Sequence, residues 1–584
     1  MTKKQKLELT WVEKERIAKL EPRILIEDAT LSFHATKRFS DLDIFDNKLI
    51  FGDNLLALKA LEQDHLEKID CVYIDPPFNT GEAFENYDDG IEHSLWLNLM
   101  YERFKILHKL LKGSGSLFVH LNDDELDYCK VILDEVFGRN NFVNRITVEA
   151  RSPSAFSTVN PGVFKSAEYI LWYAKNKNEF VENSGRVPRI PDYAYNKWLV
   201  NPKDDVENWK LTTIIDVYSA SPQPRSRRPD TVLEHFHTFI VDNSDRICRL
   251  ASISDSGAGE QIIKLKNESL KNPGKVFKLK RDGKLDDVYV LDGQQLIFYA
   301  KNVFEIDGNR TATSLMSNVW KDIAWEGIAN EGDVTFRKGK KPERLIRRCL
   351  ELTTKPGDLV LDSFGGSGTT GAVAHKMGRR WIMIEHGEHC HTHIIPRLKK
   401  VITGDDQSGI SSVLNWKGGG GFRYYKLAPS LLAKDKWGNW VINKEYDANM
   451  LAAAVCKHEG FTYNPSETEW WAHGYSTETD FIYVTTQTLT EDQLIALSED
   501  VGSERTLLVC CAAYKASAAM LNDKLSNLTL KKMPNALLAK CEWGKDDYSL
   551  NVTNLPVAEP DDEIASVATK KAARKEADLF GDAE

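Results

Sequence analysis

The chain is short of the features that would place it in a membrane or an oxidising compartment. Its nine cysteines in 584 residues are scattered, with only Cys510 and Cys511 adjacent and no CxxC pair. That pattern excludes a disulfide framework and fits reduced thiols in a cytoplasm. No uninterrupted apolar run could span a bilayer. The start, Met-Thr-Lys-Lys-Gln-Lys, carries charge where a signal peptide carries an apolar core, so no membrane partner is expected. Positive charge is in deficit: 76 Lys and Arg against 86 Asp and Glu leave a formal net charge of -10. Over the whole chain this weighs against a nucleic-acid partner, but affinity for phosphate depends on local patches. No internal repeat is visible.

What is present is an ordinary globular composition, 42% apolar and 28% charged, in a chain long enough for about three or four domains. Residues 1–45 read as a charged N-terminal arm containing a helix. Lys48 to Asn54 reads as a strand ending in Gly52-Asp53, followed by Leu55, Leu56, Leu58 and Leu61 at helical spacing. A buried strand over Ile69 to Ile74, an irregular loop over 81–90 and an amphipathic helix over 94–112 come next, with Gly113-Ser114-Gly115 ending the helix. Leu117 to Leu121 is another strand, and 125–137 a helix. This alternation predicts βαβ units and a parallel sheet.

From 185 to 335 the rhythm breaks into proline-punctuated, basic and aromatic sequence, which reads as a separate module. Its basic run, Lys264, Lys266, Lys278, Lys280 and Arg281, is a candidate DNA contact. The α/β rhythm returns over 336–417, with a strand at Leu359 to Phe364 and another at Trp381 to Glu385. The plan is thus an arm (1–45), a first core segment (46–184), an inserted module (185–335), a second core segment (336–417), a C-terminal domain (418–555) opened by the run Gly418 to Gly421, and a tail (556–584) expected to be disordered.

Two strand ends carry the chemistry. The first is Asp75-Pro76-Pro77-Phe78, placed where ligands bind in open α/β sheets. Methylation of an aromatic amine needs what this tetrad offers, because the lone pair of the amine is delocalised into the ring. The Asp75 carboxylate and a backbone carbonyl near Pro76 or Pro77 can accept its two N–H bonds, and Phe78 can stack on a base flipped out of a duplex. The prolines hold the acceptors rigid without wasting a donor. The second strand end is Asp362, followed by Gly366-x-Gly368-x-x-Gly371 and then Glu385 at the end of the next strand. Glycines let the backbone approach a ligand, and the acid can accept ribose hydroxyls. A dinucleotide and S-adenosylmethionine both satisfy this logic. Asp362 favours the second, since a carboxylate there would repel a pyrophosphate but attract a cationic amino-acid group. A P-loop is excluded, because no Gly-Lys-Ser/Thr follows the glycines.

Asp75-Pro76-Pro77-Phe78 resembles the (D/N/S)PP(Y/F/W) motif of amino-methylating DNA methyltransferases, and Asp362 to Thr370 resembles their cofactor loop. Catalytic motif first and cofactor loop far downstream is the order of the beta class. Phe51 to Asn54, Gly115 to Val119, Lys341 to Ile346 and Phe422 to Tyr425 extend the likeness to the modification (Mod) subunits of type III restriction–modification systems, over roughly residues 48 to 425. The resemblance implies an α/β, Rossmann-like S-adenosylmethionine-dependent methyltransferase fold, with an inserted target-recognition region and a C-terminal α+β domain. It implies Asp75, Pro76, Pro77 and Phe78 as catalytic residues. Asp53, Asp75, Lys341, Asp362, Phe364, Gly366, Gly368, Thr369 and Glu385 would bind S-adenosylmethionine, with Asp53 near the adenine and Lys341-Pro342 at the methionine end. The implied activity is transfer of a methyl group to N6 of adenine in double-stranded DNA. A homodimer and a restriction (nuclease or helicase) subunit are the implied partners. An Asp in first position points to adenine; cytosine N4 is the alternative of the same class. Phe78 stands where Tyr is commoner, and Phe-Gly-Gly replaces Phe-Ala-Gly.

Two rival signals are weaker. The histidines of Glu385 to His393 match no zinc spacing, so no metal is expected. A nicotinamide-dependent oxidoreductase would use the glycine loop but leave Asp75 to Phe78 without a role. Trp470-Trp471 reads as core or interface rather than a base platform.

Overall fold

A computed structural model of the chain describes residues 9–11, 14–15, 18–41, 43–78, 93–151, 163–183, 185–281, 286–325, 327–336, 339–517 and 525–548. The loop 81–90 and the tail from 556 lie outside these residues.

The described residues build an eleven-stranded sheet. Its strands are β1 (Leu25–Glu27), β2 (Phe33–His34), β3 (Asn47–Phe51), β4 (Ile69–Ile74), β5 (Leu111–Leu121), β6 (Phe142–Glu149), β7 (Ala167–Ala174), β8 (Val319–Trp320), β9 (Leu359–Asp362), β10 (Arg380–Glu385) and β11 (Gly421–Leu427). The order is β1-β11-β3-β10-β9-β4-β5-β7-β6-β8, with β2 also on β11. From β11 across to β5 every pairing is parallel, and β7 then runs antiparallel between β5 and β6.

Parallel strands need crossovers, and helices on both faces supply them. Helices α1 (Asn54–His65), α2 (His93–Leu110) and α3 (Asp123–Leu133) pack on one face, around Leu58, Trp96, Phe104, Ile132 and the β4 residues Val72 and Ile74. The opposite face carries α4 (Glu343–Thr353), α5 (Thr369–Lys376) and α6 (Ile395–Thr403), around Ile346, Leu350, Val373, Leu398 and the β4 residues Cys71 and Tyr73. Residues on both faces of β4 are therefore buried from Cys71 to Ile74, which is why that part of the strand is a continuous apolar run. Each such aliphatic side chain contributes roughly 1.5–3 kcal/mol by burial. Asp53 caps α1 by accepting from Leu56 N at 3.0 Å, and Asn122 caps α3 above three acids in its first turn. A buried charge cluster ties α4, α5 and α6 together: Lys376 Nζ donates to Glu343 (2.8 Å) and Asp406 (2.7 Å), and Arg397 donates to Glu343 (2.8 Å).

The inserted region forms its own antiparallel sheet, ordered Leu211–Thr213, Lys197–Leu199, Ile247–Ser252, Gln294–Phe298, Val288–Leu291 and Val276–Leu279, over small cores around Trp198 and Cys248. The last part of 185–335 does not belong to it. Val319–Trp320 rejoins the main sheet beside β6, and Trp325 onward lines the site.

Three other sequence expectations are corrected. The N-terminal arm supplies strands β1 and β2 where a helix was expected, because β11 offers an edge to pair with. Gly113 to Gly115 does not end a helix in a loop but lies within β5; a Cβ at Gly115 would stand 2.9 Å from the Ile69 carbonyl, so glycine lets the two strands approach. Gly418 to Gly421 is not a boundary, since Gly421 begins β11 alongside β3. The chain leaves the core only after Leu427. Beyond it a five-stranded sheet, with Asp480–Val484, Thr506–Cys511 and Leu528–Lys532 parallel, packs with helices Ala448–Glu459 and Glu491–Val501.

Candidate active site

The chain leaves the adjacent parallel strands β9 and β4 in opposite directions, to β10 and to β5. This is the topological switch point of an open sheet, where a crevice forms at the carboxyl ends. Asp362 ends β9 and Asp75 follows β4, so the two acids predicted from sequence meet there. A cavity of about 690 Å³ opens at this point.

All four residues of the tetrad, Asp75, Pro76, Pro77 and Phe78, line it. Among the described residues the Asp75 carboxylate has one polar partner, Lys341 Nζ at 3.2 Å from Oδ2. Its Oδ1 is buried and has no hydrogen-bond partner among the described residues. Burial pushes the Asp75 carboxyl above its ordinary value of 3.8, against the pull of Lys341 and His120. The Pro77 carbonyl accepts a hydrogen bond from Trp96 Nε1 at 2.7 Å, with Trp96 fully buried in α2. The Lys341 ammonium also sits 4.4 Å from the centre of the Phe78 ring.

Of the residues expected to bind cofactor, Asp75, Lys341, Asp362, Phe364, Gly366 and Thr369 line the cavity. Asp362 is 3% exposed and accepts from Phe364 N at 2.9 Å. Burial raises its carboxyl to about 8, helped by the negative charges of Asp75 and Glu385 and opposed by the bonds from Thr370 and Phe364. Gly366 and Gly368 have φ of +52° and +77°, which glycine adopts without strain, and the turn they make places Thr369 at the start of α5. Arg397 buttresses this loop through Thr369 Oγ1 (2.8 Å) and the Ser367 carbonyl (3.2 Å).

Gly368, Glu385 and Asp53 are not among the residues that line the cavity. A Cβ at Gly368 would stand 3.1 Å from Ile394, so its place is a packing position. Glu385 accepts from Gly366 N (2.7 Å), His386 N (2.8 Å) and Gly387 N (2.8 Å), which fixes its carboxylate across the end of β10. Asp53 is 2% exposed: besides capping α1, it accepts from Tyr548 N at 2.9 Å. The end of the C-terminal domain thus covers the residue expected beside an adenine.

Sequence reasoning missed several lining residues. Glu168 sits on β7, whose antiparallel run gave no sign of a site. Its carboxylate is 2.8 Å from His120 Nε2 and 3.4 Å from Lys341 Nζ. Trp325, Phe336 and Arg151 come from segments that carry no motif.

The five predicted DNA contacts lie in the inserted module, and none lines the cavity. Lys264 pairs with Glu260, Lys266 with Asp255 and Lys278 with Asp287, while Arg281 Nε donates to the Asp286 carbonyl. Lys280 forms no ion pair among the described residues. Exposed Arg225, Arg227 and Arg228, between two helices of the module, likewise form none. The histidines after Glu385 turn to separate partners: His389 to Glu385 (3.1 Å) and His391 Nε2 to the Tyr424 hydroxyl (2.8 Å). Trp471 is fully buried, whereas Trp470 is 59% exposed.

A family model described as DNA methylase matches residues 69–395, more than half of the chain. The chain belongs to the DNA methylase family. The matched span runs from the first residue of β4 into α6 and holds both acids of the crevice. The chain is 33% identical over 425 residues to the probable type III restriction-modification enzyme HindVI Mod subunit of Haemophilus influenzae, covering 67% of this chain and 55% of that one. It is 26% identical over 425 residues to the type III restriction-modification enzyme EcoPI Mod subunit of Escherichia phage P1, covering 64% of this chain and 61% of that one. To the type II methyltransferase M.EcaI of Enterobacter cloacae it is 26% identical over 354 residues, covering 59% of this chain and 67% of that one. The chain thus spans little more than half the length of the first two of these relatives.

Proposed function

We propose that the protein transfers a methyl group from S-adenosylmethionine to the exocyclic N6 amine of an adenine flipped out of duplex DNA. The observation that carries this reading is Asp75, a half-buried carboxylate whose buried Oδ1 is unmatched among the described residues, at the switch point of a DNA methylase sheet. S-adenosylmethionine supplies an electrophilic methyl group on a sulfonium. The residues present fit it. Asp362, lining the crevice with no cation bonded to it among the described residues, suits the cofactor's positive charge, and the glycine turn places Thr369 and the start of α5 beside it. Glu385 accepts from three backbone amides and lies 3.1 Å from His389 Nε2, so it would take ribose hydroxyls only by exchanging one of these partners.

The chain's own share of the chemistry is positioning. Asp75 accepts one N–H of the amine. With the Pro77 carbonyl held by Trp96, the Pro76 carbonyl is the second acceptor. Accepting both hydrogens turns the nitrogen lone pair out of conjugation and toward the methyl group. Phe78 stacks on the base, and the apolar rim of Trp325 and Phe336 excludes water. After transfer the nitrogen sheds one proton, for which Asp75 is the nearest acceptor.

The inserted module, from Arg186 to Leu315, is proposed as the target-recognition region, with Lys280 and the neighbouring basic residues Lys264, Lys266, Lys278 and Arg281 as phosphate contacts. A homodimer, and a separate restriction subunit for cleavage, are proposed from the likeness to Mod subunits. The test is transfer of label from S-adenosylmethionine to unmethylated duplex DNA. Label on N6 of adenine that vanishes in Asp75→Ala supports the reading; label on cytosine N4 would reassign the base, and no transfer would overturn it.

A further inference from the structure

Four ionisable or hydroxyl side chains stand in line behind the tetrad, and the proposed reaction uses none of them. Tyr73 Oη is 2.8 Å from His120 Nδ1, His120 Nε2 is 2.8 Å from Glu168, and Glu168 is 3.4 Å from Lys341 Nζ, which meets Asp75 at 3.2 Å. They come from different elements: Tyr73 from β4, His120 from β5, Glu168 from β7 and Lys341 from the residues before α4. Lys341 is 6% exposed and His120 fully buried, so the line is shielded from solvent. A structural ion pair would not need to end on the residue that faces the amine.

We propose that Lys341, anchored by Glu168, is the positioning residue that holds the Asp75 carboxylate ready to accept the target amine; this rests on the function proposed above. Two observations carry it. Asp75 Oδ1 has no hydrogen bond among the described residues, so Lys341 is the one polar side chain bonded to this carboxylate. And the same ammonium lies over the Phe78 ring, so one cation fixes both the acceptor and the stacking wall.

The electrostatics agree. An ionised carboxylate is the stronger acceptor for an amine and the form that can take its proton, and burial works against ionisation at Asp75. Lys341 opposes the burial, and Glu168 keeps Lys341 in place. Despite its own burial, Glu168 is held down at about 2 by Lys341, His120 and Arg151. The charged and titratable groups around Asp75 are therefore Lys341, Glu168, His120, Tyr73 and Arg151, with Asp362 across the crevice. Glu168's own charge raises Asp75, whereas Lys341 and His120 lower it.

The signs of two variants therefore differ. Lys341→Met removes the cation, so the acid limb of the kcat–pH profile should move to higher pH by about one to three units. Below the limb kcat should fall by about tenfold for each unit the limb moves, with the loss closing as pH rises above it. Lys341→Arg should return the limb toward its original place. Glu168→Gln removes an anion and should move the limb the other way, with a lower plateau because Lys341 has lost its anchor. Should Lys341→Met not fold, Lys341→Arg and Glu168→Gln carry the comparison. Methyl transfer by the wild-type protein with an unmoved limb in Lys341→Met, or a limb moving the same way in Lys341→Met and Glu168→Gln, would overturn the positioning role alone. No transfer by the wild-type protein would overturn the proposed function as well.

Discussion

Replacing Asp362 with asparagine should stabilise the protein and weaken its hold on cofactor. The side chain is 3% exposed at the end of β9, and burial lifts its carboxyl from 3.8 to about 8. At pH 7 the folded chain must carry a proton that the unfolded chain sheds near 3.8. The gap is worth roughly 4 kcal/mol at 1.36 kcal/mol for each pH unit. Asparagine keeps an oxygen for Phe364 N and has nothing to titrate. The sign follows from a raised folded-state value. Wild-type stability is intact below about pH 4 and declines as pH rises toward 8, relative to Asp362→Asn. Thermal melting of the cofactor-free protein at pH 5, 6, 7 and 8 should show a variant advantage of a few degrees that widens with pH. Titration calorimetry should show the converse in binding. Wild-type affinity for S-adenosylmethionine should fall by up to about tenfold per pH unit below 8, on a curve that flattens in the variant. A variant that melts lower than wild type at pH 7, or an advantage that does not change with pH, would refute the reasoning.

Three further perturbations probe the scaffold and the DNA surface. Trp96→Phe removes the donor that holds the Pro77 carbonyl; it should cost about 1–3 kcal/mol in chemical denaturation and lower kcat roughly tenfold or more. Lys376→Met removes the cation shared by Glu343 and Asp406, leaving Glu343 to Arg397 and Asp406 without a cation, and should destabilise the core by about 3 kcal/mol, measured by the same denaturation. In filter binding at graded salt, Lys280→Ala should lower the slope of log affinity against log salt by about 0.9. Lys264→Ala, Lys266→Ala and Lys278→Ala should change it less, because those cations already have carboxylate partners. A larger loss from Arg225, Arg227 and Arg228 together than from Lys280 would move the phosphate track to that loop.

The alternation of apolar strands and helices, and the acids that end β4 and β9, were legible in the sequence because local patterns specify them. A buried parallel strand is a continuous apolar run, and a residue that ends it beside prolines or glycines declares a site. Pairing at the sheet edges was not legible. β1 and β2 are too short to carry a pattern and exist because β11 accepts them, and Gly113 to Gly115 reads as a stop until Ile69 is seen to pass close by. The site was legible to the same extent. Asp75, Asp362 and the glycine turn sit in motifs, whereas Glu168, His120 and Trp325 reach the crevice from elements whose local sequence serves packing. The basic run in the module has partners, Asp255, Asp286 and Asp287, that become its neighbours only once the strands and helix are folded. Glu385 and Asp53 have the expected chemistry, and each carboxylate accepts from backbone amides in the folded chain, which the sequence did not show.

The central claim is that Asp75 presents an adenine amine to a methyl donor. It is tested most directly by incubating unmethylated genomic DNA with the protein and S-adenosylmethionine and reading methylation base by base. The account predicts N6-methyladenine within one recurring sequence, absent when Asp75→Ala replaces the wild-type protein. DNA without modified adenine, or an unchanged pattern with Asp75→Ala, would contradict it.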